Sequence, residues 1–422
     1  MIAITRKWMY GIMAVVLLCG LAAAAASEVV DPAHSSPADA ATKQNSNLKP
    51  VSFNRHVFVA KHILITCISM DTIALSTDGG KTFIKKFKFS TPALASLRLF
   101  HAFSDHSLLV ATSNKCYYID PGWTKITESA VLGLDGKPHT PALSGDNFFS
   151  LNGTVSQYIG DVEVLCWGCY NNNSPNSKPG LYVPTWFTKD KGKTVSLVYQ
   201  NSVSIPANKT EPLQARHVHQ VAQNPKDGSF WIQTGDEARP LFSHWIKGNY
   251  DITTDKWIWN WIGSGDNYKT TMIQFKGDYM YFAVDLYPGG ISKCLISEAH
   301  DKTKHVVVKR IENDLSGFVM GERGDCAIQI LKFFGPDTPG NTIYYSPDMV
   351  KWYTILGDMP PGYTKKSVYI HGYPPDSEGR VLMNILLDYA HPSSSAGSAG
   401  AVWLNEIIAN HGFPDAFKPL DK

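Results

Sequence analysis

Arg216-His217-Val218-His219 sets two imidazoles two residues apart, directly after a guanidinium. In an extended strand, residues at that spacing project from the same face, so the two rings are expected side by side. Paired imidazoles can divide the roles of general acid and base, or ligate a metal together. The plainer alternative is that one ring hydrogen-bonds a backbone carbonyl and the other fills space. Carboxylates follow at intervals, in Thr234-Gly235-Asp236 at a strand end, Gly265-Asp266-Asn267-Tyr268-Lys269 in a turn, and Val284-Asp285 after another strand. Glycoside hydrolysis with retention or inversion needs two carboxylates flanking the bond, and Asp236, Asp266 and Asp285 are candidates. Elimination from a uronate polymer needs a base, a cation beside the sugar carboxylate and an acid for the leaving oxygen. His217 or His219, Arg216 or Lys269, and Tyr268 are the right types. The candidate catalytic residues are therefore His217, His219, Asp236, Tyr268 and Asp285, with Arg216, Asp266 and Lys269 as candidate substrate-binding residues. Asp236 taken alone is better explained as a turn cap. Metal binding stays open, and no cofactor is expected.

The elements that must position these residues read as strand after strand. β-Branched or alternating runs cover 62–68, 107–112, 229–233, 279–284 and 342–345, separated by Asp-Gly, Gly-Asp, Asn-Gly and Pro-Gly turns. One short helix is expected over residues 405–411. Units begin near Phe53, Leu97, Asn147, Arg216, Lys269, Gly317 and Lys366, mostly about 45–55 residues apart, which is the period of a four-stranded propeller blade. The expected fold is all-β, a propeller of seven four-stranded antiparallel blades, with six blades as the alternative.

Ser76-Thr77-Asp78-Gly79-Gly80-Lys81-Thr82-Phe83 is the most specific turn in the chain. Asp78 can accept backbone N–H bonds from its own turn, Gly80 can take φ > 0, the Ser76 and Thr82 hydroxyls tie the ends, and Phe83 packs inward. Weaker copies are Thr188 to Val195, which lacks the aromatic, and Ser346 to Trp352, which lacks the glycine. The pattern resembles the Asp box (BNR repeat) of sialidase-like β-propellers. Residues from about Gly160 to Gly290 are also similar to secreted bacterial propellers described as glycosyl-hydrolase-like. That group carries a His-x-His strand, an (Asp/Asn)-Pro turn, a Thr-Gly-Asp strand end, a Gly-(Asp/Gln)-x-Tyr-Arg patch and a strand ending in Asp. The resemblance implies a channel-mouth cluster of His217, His219, Asp236, Asp266, Tyr268 and Asp285, and a carbohydrate substrate or ligand. Two departures bear on catalysis. Gly168-Cys169-Tyr170 stands where the group often has Gly-Glu-Tyr, and Lys269 replaces the arginine that grips a carboxylate with two parallel bonds.

Sialidase chemistry itself is disfavoured, because it needs three converging arginines and an Arg-Ile-Pro-like motif before the first Asp box. Arg55 precedes that box but lies in Asn54-Arg55-His56, and Arg239-Pro240 lies in the wrong place. The remaining readings are a glycoside hydrolase or polysaccharide lyase, or a non-catalytic propeller that binds a glycan or protein. The Trp257-Ile258-Trp259-Asn260-Trp261 stretch suits inter-blade packing, with sugar stacking as its alternative.

Net charge is +2, from 39 basic and 37 acidic residues, with no basic stripe, so nucleic acid is not an expected partner. Arg6 and Lys7, the apolar run 9–21 and the alanines up to Ala26 read as a secretory leader over residues 1–26. Residues 27–50 read as a flexible spacer and 51–422 as a single propeller domain. The mature protein is expected to be a secreted or periplasmic monomer outside the membrane. Beyond Cys19 of the leader, the even set Cys67, Cys116, Cys166, Cys169, Cys294 and Cys326 suggests disulfides. Cys166 with Cys169, Cys67 with Cys116 and Cys294 with Cys326 are one guess at the pairing.

Overall fold

The computed structural model describes residues 56–60, 63–69, 72–77, 82–88, 99–112, 115–141, 148, 150, 154, 156–170, 182–202, 214–235, 243–286, 288–311, 314–331, 342–356, 366–370, 379–387 and 398–420. The expected leader and spacer lie outside them. So do Asp236 of the candidate site and Asp78 and Gly80 of the turn motif.

Among the described residues, 28 strands form seven sheets in chain order. They cover residues 56–88, 99–128, 157–202, 218–264, 270–311, 314–356 and 366–403. Each is an antiparallel meander in which consecutive strands pair. Sheet three gains a fifth strand, Ala130–Leu132, which runs parallel to Thr194–Ser202. The first strands of sheets two, four, five, six and seven start within a few residues of the expected unit starts. Sheet three begins at Gln157, later than the expected Asn147. The helix Leu404–Asn410 falls where one was expected.

The three Asp-turn motifs occupy the same place, between the third and fourth strands of sheets one, three and six. In sheet three, Asp190 Oδ1 accepts from the Thr188 hydroxyl (3.0 Å) and the Thr194 amide (2.8 Å), and Gly192 takes φ 88°. In sheet six, Asp348 Oδ1 accepts from the Val350 and Lys351 amides at 2.8 and 2.9 Å. Sheets two, four and five use the same device without the motif. Asp120, Asp251 and Asp301 each accept from backbone amides two to five residues ahead in the corresponding connection. The expected motif was thus one case of a wider rule, in which a carboxylate closes the outer connection.

The cores lie between successive sheets, so the second and third strands of sheet three and the second strand of sheet four are buried on both faces. The fourth strands of sheets two, four and five are mostly exposed or half-buried. Along Val162–Gly168, Leu165 and Trp167 face sheet two, while Val164 and Cys166 face sheet four. Trp231 faces sheet five while its neighbours Phe230 and Ile232 face sheet three. This two-sided burial makes these inner strands near-continuous apolar runs.

Side-chain bonds join first strand to first strand around the series. Gln223 bridges to both the amide and the carbonyl of Tyr158 in sheet three. Gln220 Oε1 accepts from the Ile273 amide of sheet five at 2.7 Å. Gln274 repeats this one sheet later, accepting from Met320 N at 2.8 Å and donating to Phe318 O at 3.0 Å.

The disulfide expectation is corrected. Cys116, Cys166, Cys169, Cys294 and Cys326 are all buried free thiols. Cys294 faces the space between sheets four and five, whereas Cys326 faces the space between five and six, so sheet five separates them. The Cys67 side chain is outside the described residues. Burial pushes the Cys116, Cys166 and Cys326 thiols well up and Cys294 up to about 12, which makes them inert as nucleophiles. A thiol reagent is expected to label these cysteines only after unfolding, and reductant is expected to leave the melting temperature unchanged. A lower melting temperature in reductant would show a disulfide instead.

Candidate functional site

Sheets four and five carry the described candidate residues on or beside their strands, and a repeated irregularity shapes their placement. The first strand of sheet four pairs Val218 with Thr234 but Gln220 with Gln233, so His219 is the extra residue of a β-bulge. Sheet five repeats the bulge at Thr271, between Thr270 and Met272. A bulge breaks the two-residue alternation and re-aims a side chain. Here it turns His219 toward the next sheet, where its Nδ1–H donates to the Thr270 carbonyl at 2.6 Å.

His217 and His219 do meet, with Nε2 to Nε2 at 3.1 Å. Because Nδ1 of His219 carries the proton given to Thr270, its Nε2 in the neutral ring is the acceptor and His217 Nε2–H is the donor. Tyr170 stacks on His217 with ring centroids 4.0 Å apart. A Cβ at Gly235 would lie 2.2 Å from His219 Cε1, a clash that only glycine avoids. Both rings are inside the protein, with His217 at 0% and His219 at 2% exposure. Tyr170 was not a candidate residue, and Gly168-Cys169-Tyr170 was the signal that could have found it. Thr270 was missed as well, since its carbonyl acts through the backbone and leaves no side-chain signature. Its hydroxyl also accepts from Trp245 Nε1–H at 3.0 Å.

Tyr268 lies in the core between sheets four and five, edge-on to Trp245, and its hydroxyl donates to the His300 carbonyl at 2.7 Å. Burial raises its phenol above the usual value. Beside it His305 stacks on Trp245, and burial lowers that imidazole. Asp266 is exposed, at the start of the 3-10 turn Asp266–Tyr268. Lys269 Nζ and Asp285 Oδ2 form an ion pair at 3.5 Å, with side-chain exposures of 14% and 20%. The Asp285 amide donates to the Lys269 carbonyl, which pins the two backbones together. Arg216 immediately precedes His217 and is half-buried.

The structure therefore sorts the candidates into two groups. His217, His219 and Tyr268 are interior groups bonded to protein atoms. Asp266, Lys269, Asp285 and Arg216 lie at the strand ends with some access to solvent. Among the described residues, no group of three or more His, Cys, Asp or Glu is placed to hold a metal ion. No described helix is long and apolar enough to cross a membrane.

Trp257 and Trp259 stack in parallel, with centroids 4.7 Å apart and planes 7° apart, and pack toward sheet three. Trp259 Nε1–H reaches the Val198 carbonyl at 3.0 Å, and its ring lies over Gly248. The inter-sheet role expected for the tryptophan stretch holds for these two, while Trp261 is 60% exposed.

No protein-family description and no curated protein matches the chain. Among solved structures, the chain is similar to YCF48 bound to a D1 peptide, at 10% identity and TM-score 0.47, covering 85% of this chain and 91% of that one. It is also similar to the GH74 enzyme of Niastella koreensis, at 9% identity and TM-score 0.48, covering 84% of this chain and 54% of that one. A third similarity, at 10% identity and TM-score 0.40, is to the computationally designed Ika8 protein, covering 85% of this chain and 98% of that one.

Proposed function

We propose that the seven sheets are the blades of a closed Asp-box propeller, exported as a monomer, which binds carbohydrate at the end of sheets four and five without cleaving it. Support for the ring is the chain of first-strand contacts, carried by Gln223, Gln220 and Gln274 from sheet three to sheet six. In a propeller the first strands are the ones gathered around the axis.

The observation that carries the binding reading is the division of the site. The imidazoles are interior struts, while the charged groups that reach solvent include the Lys269–Asp285 pair, the exposed Asp266 just before Lys269, and the half-buried Arg216 just before His217. An ammonium offers several donors and a carboxylate several acceptors, which suits the vicinal hydroxyls of a sugar. The resemblance to glycosyl-hydrolase-like propellers supports the same ligand class, and the missing carboxylate at Cys169 weighs against the reaction.

Calorimetric titration with neutral and acidic oligosaccharides tests this, with product analysis on the same samples. Binding without product is expected, and Lys269→Ala should weaken it about tenfold, or about 1.4 kcal/mol. New reducing ends or unsaturated sugars would establish an enzyme instead. No binding by any glycan would leave a protein partner as the ligand.

A further inference from the structure

Trp261 is an exposed ring tied through the half-buried Ser264 to buried groups. Its indole N–H donates to Ser264 Oγ at 2.8 Å. Ser264 Oγ is also bonded to His244 Nδ1, and His244 Nε2 is bonded to the Gln214 carbonyl at 2.6 Å. A carbonyl only accepts, so His244 Nε2 carries the proton. In the neutral ring Nδ1 then accepts from the Ser264 hydroxyl. Every hydrogen in the relay has one direction, from Trp261 to Ser264, and separately from Ser264 to His244 and from His244 to Gln214. His244 is 1% exposed and Gln214 2%, so a surface indole is anchored in the interior of sheet four.

Ordinary exposed tryptophans need no such support. Fixing the indole N–H removes its polar edge from play and leaves the ring face as the group on offer. An aromatic face is negative at its centre and attracts the slightly positive C–H face of a pyranose. The ring leans toward Ser264, at the end of the outer strand Lys256–Ser264, from which the 265–269 turn crosses to the Lys269–Asp285 pair. The same end carries His217, Gly235 and His244, because the strand pairing puts Val218 opposite Thr234 and His244 opposite Ser264. Outer and inner strands of a four-stranded sheet are three spacings apart, on the order of 14 Å.

We infer that Trp261 is a preorganised stacking platform for a pyranose ring, forming the outer subsite of a binding surface that extends inward to Lys269 and Asp285. The ligand is an extended glycan of several rings, with one ring face on Trp261 and hydroxyl or charged groups at the inner pair. Ser264 and His244 are positioning residues that act through the indole. This rests on the carbohydrate reading proposed above and adds to it the size of the ligand and its second point of contact.

The test is affinity against chain length, using cello-oligosaccharides, chito-oligosaccharides and oligogalacturonates from one ring to six. Wild-type affinity should rise with length in the series that binds. Trp261→Ala should remove that rise, about tenfold at the longest members, and leave the shortest members unchanged. Trp261→Phe, which keeps a ring face, should retain most of it. Ser264→Ala should weaken long ligands to an intermediate degree and shift the Trp261 indole N–H resonance, identified by its loss in Trp261→Phe. Wild-type binding that Trp261→Ala leaves intact at every length overturns this inference alone. Failure of the wild type to bind any glycan overturns it together with the carbohydrate reading.

Discussion

Replacing His219 by alanine is expected to destabilise the protein by about 3–5 kcal/mol. The loss combines a cavity in a packed interior with two hydrogen bonds whose partners stay buried. The Thr270 carbonyl loses the Nδ1–H donor, and His217 loses the Nε2 acceptor. The Thr270 bond also joins sheet four to sheet five, so the damage should spread across the inter-sheet boundary. His217→Ala should cost less, because the His219 bond to Thr270 survives it. The double variant should cost less than the sum, by about 1–2 kcal/mol, since both single changes break the same bond between the rings. Urea unfolding of the three variants measures this. Unfolding of His219→Ala at the wild-type midpoint would sink the account of His219 as a strut. A catalytic imidazole would give the opposite pattern, with lost turnover and preserved stability.

The second large effect is a fall in stability between neutral pH and pH 3, carried by His101. This ring lies in the first strand of sheet two at 1% exposure. Its Nδ1 bonds the Thr154 hydroxyl at 2.9 Å and its Nε2 the Ser156 hydroxyl at 3.1 Å. Ser156 Oγ donates onward to Glu163 Oε1 at 2.5 Å, and Glu163 also accepts from the amide and hydroxyl of Ser104. Lys191 stands 3.8 Å from Glu163 and 2.7 Å from Asp105. With Ser156 donating to Glu163, its oxygen accepts from His101 Nε2–H, so His101 Nδ1 accepts from Thr154. A second proton would face the Thr154 hydroxyl inside a buried site.

Burial accordingly lowers His101 from 6.5 to about 3, with a hydrogen bond to the Thr154 backbone opposing in part. The unfolded chain takes up this proton first. Stability from this group is full above about pH 6.5 and is lost as pH falls toward 3, amounting to about 2 kcal/mol at pH 5 and about 4 kcal/mol at pH 3. His101→Gln keeps hydrogen-bonding capacity without a titrating proton. It should flatten the stability difference between pH 7 and pH 5 by about 2 kcal/mol in urea titrations. An unchanged pH slope in that variant would remove His101 as the cause.

Much of the fold was legible because its signals are local. The Asp turns declare themselves within eight residues, since the carboxylate, the positive φ and the hydroxyls all act inside one hairpin. Asp190 and Asp348 make the bonds their spacing implied, and unit starts near Arg216, Lys269 and Lys366 mark real first strands. Asp120, Asp251 and Asp301 escaped notice because the glycine and aromatic positions around them differ, although the carboxylate does the same work.

Composition and spacing determined that this chain is strand-rich, turns on Asp-centred hairpins and repeats about every 45–55 residues, while the clustering of His217, His219, Asp236, Asp266, Tyr268 and Asp285 came only from the family resemblance. The tertiary structure decided which of those residues face solvent. His219 is turned inward by a bulge and held by Thr270, 51 residues away. Tyr268 is drawn into a core by Trp245, and Cys294 and Cys326 are set on opposite sides of sheet five. Trp257, Trp259 and Trp261 share one alternating pattern, yet two pack against sheet three and one emerges. The reason is the same each time. Strand periodicity is a property of neighbouring residues, whereas burial is set by the sheet packed alongside, and a one-residue bulge changes which side of that boundary a side chain meets.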